Sequence, residues 1–89
     1  MRQEDTRGVG ILLVDGEDFE VTYGLTTTEH TGWGQIIGEH NGLYAALLAH
    51  SVMLTLKDGR IAPIVVTDYS AGMGVAEFKL AGAILGRAE

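Results

Sequence analysis

The chain has no cysteine, one proline and only six basic residues. The missing thiols exclude disulfides and zinc–thiolate sites. Arg2, Arg7, Lys57, Arg60, Lys79 and Arg87 are scattered, no aromatic run lies among them, and the net charge is −6. Nucleic-acid binding needs a basic patch to displace counterions from phosphates, so no nucleic-acid partner is expected. An anionic membrane surface would repel the same chain. No apolar run approaches the ~20 residues that cross a bilayer. Met1–Arg7 is polar and charged, without the apolar stretch of a secretory signal. These absences read as a soluble, acidic, cytoplasmic protein.

What is present is apolar and rich in glycine. Hydrophobic residues make up 46% and charged residues 20%, the balance of an ordered chain. Its 89 residues suffice for one domain, residues 1–89, with 1–7 and 86–89 read as loose ends. A domain of this size buries only about 60–65% of its unfolded surface, and small all-β domains often gain the remainder by oligomerising. Thirteen glycines, many inside apolar segments, suggest bulges, tight turns and barrel corners.

Periodicity then sets the elements. Val9–Val14 is apolar throughout, as suits a strand buried on both faces or a barrel strand. Asp15-Gly16 is a hairpin turn signal, after which Phe19, Val21, Tyr23 and Leu25 alternate with polar residues and glycine. Over 31–38, Trp33, Gln35 and Ile37 share one face, opposite Gly32, Gly34 and Ile36. Glu39–Gly42 reads as a break. Leu43, Ala46, Leu47 and His50 recur at helical spacing, predicting a helix over 43–50 that docks across one end of the sheet. Val52, Leu54 and Leu56 precede the Asp58-Gly59 turn, and Ile64 and Val66 follow it. Pro63 has no N–H for a ladder, which implies an edge strand or a nearby bulge. Asp68–Gly74 reads as a glycine-rich loop, and Ala76, Phe78 and Leu80 as a last strand. The prediction is an all-β fold with one short helix, a small antiparallel barrel or sandwich of about six strands. The two Asp-Gly turns also place Val21 and Tyr23 where Ile64 and Val66 fall, an echo that hairpins of one type produce by themselves.

Candidates for chemistry are few. His30, His40 and His50 are ten apart, which matches neither the i, i+4 spacing of a helical metal site nor the i, i+2 spacing of a strand site. Asp15, Glu17, Asp18 and Glu20 cluster at a turn but lack the ligand order of a calcium loop. Ser51 and Ser70 are the only serines, and Ser70 has no strand–turn–helix elbow around it. No catalytic residue, metal ligand or cofactor is therefore assigned.

Two resemblances add to this reading. Asp68-Tyr69-Ser70-Ala71-Gly72-Met73-Gly74 partly resembles the Asp-x-Ser-x-x-Gly signature of PilZ cyclic-dinucleotide receptors, which are also small barrels. It departs from that pattern at Met73, where glycine is expected. Arg2 and Arg7 are five apart rather than four and lie far upstream. Gly8–Ile11, Val21–Thr26, Gly32-Trp33-Gly34 and Leu54–Arg60 together resemble short bacterial β domains of unassigned function, which implies a fold and no activity.

The expectation is thus a non-enzymatic structural or protein-interaction module, its partner a second copy of itself or another protein. Met53, Val65 and Val75 are the residues expected to form an apolar outer patch. The alternative is a small-ligand-binding mini-barrel, PilZ-like binding being one case. Trp33, Tyr23, Tyr69 and Ser70 are then the candidate ligand contacts, with Tyr44 a further aromatic.

Overall fold

Alternation of inward and outward side chains organises the strands, with one break in the fifth. A computed structural model describes residues 3–29, 31–49 and 52–86. Among these residues six strands, β1 (Glu4–Val14), β2 (Glu17–Thr27), β3 (Gly32–Ile37), β4 (Val52–Thr55), β5 (Ile61–Ser70) and β6 (Val75–Leu80), accompany one helix, α1 (His40–Leu48). They form a closed antiparallel barrel in the order β1-β2-β3-β6-β5-β4, with β1 returning onto β4. Two three-stranded meanders therefore meet along two seams, first strand beside first and third beside third. Closure pairs every strand on both sides over part of its length, which limits the sheet edge that is the usual hazard of a small β fold; residues 4–10 of β1 pair with β2 alone.

Inward residues fill the barrel. Leu12 and Val14 of β1, Val21, Tyr23 and Leu25 of β2, Ile36 of β3, Leu54 of β4, Ile64 of β5 and Phe78 of β6 are buried together. Tyr23 carries the one hydroxyl among them, and it accepts the Lys57 backbone N–H at 3.0 Å. A buried phenol is thereby satisfied rather than left to cost about 1–3 kcal/mol. Leu43 and Ala46 of α1 close the end at which β3 finishes and β4 begins. Burial of Leu43 alone is worth about 1.5–3 kcal/mol, more than a helix this short supplies from its own hydrogen bonds.

Several expectations need correction. Residues 4–7 are not a loose end: Glu4–Arg7 pair with Gly24–Thr27. Their inward positions, Thr6 and Gly8, are small rather than apolar, so no alternation announces the strand. The helix occupies 40–48 rather than 43–50, because Gly42 is buried against the Phe19 ring instead of breaking the chain. Position 50 lies outside the described residues. Asp68–Ser70 belongs to β5, and only 71–74 form the turn. Pro63 is not on an edge strand; the irregularity in β5 is a register shift between Val66 and Asp68. The proline is accommodated because the β5–β6 ladder begins only at Ile64. The Pro63 carbonyl accepts Ala81 N–H at 2.8 Å, so its N-substituted side faces the chain leaving β6, beyond the regular pairing. β1, expected to be buried on both faces or to serve as a barrel strand, is the latter, with only its inner face covered. No helix among the described residues is long and apolar enough to cross a membrane.

Candidate functional site

The candidate ligand residues separate when placed on the barrel. Tyr23 points into the core and is 2% exposed, which leaves its ring no free face. Trp33 stands outward on β3 with 45% of its surface exposed, between Thr26 of β2 and Lys79 of β6. Tyr69 pairs with Ala76 at the helix-covered end, and Ser70 is exposed beside it at the end of β5. The Tyr69 hydroxyl and His40 Nδ1 are hydrogen-bonded, and the His40 ring stacks on Tyr44 at 5.6 Å between centroids. This trio ties the first turn of α1 to β5. His40 and Tyr69 are thus brought together, while Trp33 lies away from them toward the opposite end of the barrel. His30, His50 and Ser51 fall outside the described residues. Among the described residues no group of three or more histidines or carboxylates is arranged to hold a metal ion.

The outer surface has two contrasting faces. On the first, Val9, Ile11 and Leu13 project from β1. Leu13 sits beside Met53, which sits beside Pro63, and Ile11 sits beside Thr55, which sits beside Ile61. Interrupted only by Thr55, these form an apolar patch across β1, β4 and β5. Asp18 and Glu20, opposite Leu13 and Ile11 on β2, give it an acidic border. Met53 and Val65 point outward on this side, as expected, but Val75 does not join them; it pairs with Ile37 and Ser70 elsewhere.

The second face covers β1, β2, β3 and β6. Registers align its outward residues in three rows: Asp5, Thr26, Trp33 and Lys79; Arg7, Gly24, Gln35 and Glu77; Val9, Thr22, Ile37 and Val75. Gly24 is at the centre and carries no side chain. A depression of about 500 Å³ lies over it, lined among others by Arg7, Thr22, Thr26, Trp33, Gln35 and Glu77. Thr26 Oγ1 donates to Asp5 Oδ1 at 2.8 Å. The Arg7 guanidinium, Gln35 amide and Glu77 carboxylate have no side-chain partner among the described residues. A linear reading notes Trp33 but cannot find this notch, because four strands contribute to it and only register brings them together.

Asp58, in the turn between β4 and β5, is held below the usual carboxylate range, chiefly by the Arg60 backbone N–H at 3.0 Å and then by the Arg60 side chain. The Arg60 Nε donates to its second oxygen at 2.8 Å. This arrangement holds a turn.

Comparison with protein-family models, with curated proteins and with solved structures finds no match to this chain.

Proposed function

We propose that this protein is a non-enzymatic interaction module that self-associates, two copies meeting through the outer faces of β1, β4 and β5. The observation that carries this reading is the outer row of β1: Val9, Ile11 and Leu13 remain 54%, 38% and 39% exposed. Isolated exposed aliphatics are ordinary, but a contiguous row continued by Met53 and Pro63 is the pattern of an interface core. An acidic border of Asp18 and Glu20 supplies the polar rim such interfaces have.

The test is the solution mass by light scattering after size exclusion, over a range of concentrations. The expected result is a dimer at twice the 9.5 kDa chain mass. A double substitution, Ile11→Lys with Leu13→Lys, returns it to monomer with an unchanged circular-dichroism spectrum, since both side chains point away from the core. A monomer at every concentration overturns the reading.

A further inference from the structure

Gly24 has no structural reason to be glycine. The other glycines within strands are each crowded. A Cβ at Gly10 would stand 2.4 Å from the Thr55 carbonyl oxygen, one at Gly32 2.6 Å from Leu80, and one at Gly34 1.9 Å from the Gly24 carbonyl oxygen. At Gly8 it would meet the Lys57 stem at 2.6 Å. At Gly24 the nearest atom is Arg7 Cγ at 3.9 Å, an ordinary contact, and its φ is not positive. A strand glycine loses backbone entropy and packs nothing; one that the protein's own packing does not require marks a place where something else approaches the backbone.

The surroundings state what kind of group this is. Thr22 and Thr26 flank the gap along β2, and Arg7 and Gln35 flank it across the sheet. Strand spacing and rise make this opening about 10 Å by about 13 Å between bordering backbones, room for one six-membered ring. The indole of Trp33 supplies an exposed apolar face at one corner. The Thr22 hydroxyl and the Gln35 amide can each donate and accept, the guanidinium donates and Glu77 accepts. Both signs are present: Asp5 and Lys79 end one row and Arg7 and Glu77 the next, with Asp5, Arg7 and Glu77 lining the depression itself. On a chain of net charge −6, this face as a whole is close to neutral.

We infer that the notch over Gly24 binds a neutral polyhydroxylated ring, a pyranose unit, with its C–H face on Trp33 and its hydroxyls on Arg7, Thr22, Gln35 and Glu77. An apolar face with a rim of mixed donors and acceptors is the surface that suits this notch, and an open single-ring site implies a Kd on the order of 1 mM.

Trp33 is the only tryptophan, so its fluorescence reports on the site directly. The full chain is titrated with methyl glucoside, N-acetylglucosamine and cellobiose, and separately with glucuronate, while Trp33 emission and backbone amide resonances are followed. A neutral sugar is expected to give a saturable emission change, with amide shifts confined to 5–9, 22–26, 33–37 and 75–79. Gly24→Val fills the notch with a side chain that strands favour; it is expected to retain the fold, by circular dichroism and melting, and to weaken binding by tenfold or more. Three results overturn the inference: no saturable change with any neutral sugar up to its solubility limit, binding of glucuronate alone, or undiminished binding by a folded Gly24→Val.

Discussion

The two meanders solve the same geometric problem by opposite means. Each is three antiparallel strands that must curve enough to close a barrel. The first, β1–β3, curves by leaving inward side chains out: Gly8, Gly10, Gly32 and Gly34 lie crowded in its strands. The second, β4–β6, has no strand glycine and instead adds a residue, the register shift between Val66 and Asp68, with Thr67 Oγ1 donating to the Glu77 carbonyl. A bulge bends one strand sharply and keeps every side chain, whereas missing side chains let backbones approach across a whole face. The difference teaches why both special surfaces involve the first half. Its glycines create the notch at Gly24, and its first strand presents Val9, Ile11 and Leu13 to solvent.

The sharpest test of that contrast pairs two cross-strand neighbours on opposite faces. Gly34→Ala would drive a Cβ to 1.9 Å from the Gly24 carbonyl oxygen and 2.9 Å from Phe78. Since backbone must move, the expected loss is about 3 kcal/mol or more, measured by urea unfolding. Gly24→Ala, across β2–β3 on the outer face, is expected to be neutral or stabilising by up to about 1 kcal/mol. Equal costs at the two positions would mean that strand glycines in the first half are interchangeable, and the close-approach account of its curvature would fail.

That asymmetry is also where the sequence stops being readable. β2 is legible because Phe19, Val21, Tyr23 and Leu25 face a core while Glu20 and Thr22 face water, so burial and alternation coincide. The start of β1 is not, because Thr6 and Gly8 occupy inward positions with almost no apolar surface. Nor is the end of β5: the register shift after Val66 breaks its period just before a glycine-rich turn, and the strand reads as loop. Helix and barrel were predictable as a class from periodicity. The notch and the apolar patch depend on lateral neighbours, such as Arg7, Gly24, Gln35 and Glu77, which are far apart in the chain.

The turns carry a smaller effect. Both are Asp-Gly, yet they differ. Asp15 and Gly16 both adopt positive φ, at 49° and 88°, making the two-residue connection that matches strand twist. In the second, only Gly59 does, at 93°, within a longer turn closed by Gly59 N–H to the Leu56 carbonyl at 2.9 Å and Leu56 N–H to the Arg60 carbonyl at 2.8 Å. Gly16→Ala and Gly59→Ala should each cost about 1–2 kcal/mol in thermal or urea unfolding, since each forces a Cβ into the left-handed region. A cost at one position only would show that the other turn relaxes to a different type, and that the common dipeptide hides two unequal constraints.

The smallest effect separates the turns by pH. In the second turn the Asp58 carboxylate accepts the Arg60 backbone N–H and the guanidinium Nε–H. The backbone hydrogen bond is the main reason its pKa lies below the usual value; a modest loss of hydration opposes this, and the guanidinium adds to it. A pKa lowered by folding means that the charged form favours the native state. The stabilisation is therefore fully present above the unfolded carboxyl's pKa and is lost as pH falls through the folded one. Asp58→Asn should flatten that part of the stability–pH profile while changing neutral-pH stability little, because the pair is open to solvent. Added salt should narrow the difference between wild type and variant, as it does for exposed charges. An acid limb identical in wild type and Asp58→Asn would mean that the Arg60 contacts are not maintained in solution. The second turn would then be held by the left-handed Gly59 and the backbone hydrogen bonds of Leu56, and its stability would rest, like that of the first turn, on backbone conformation.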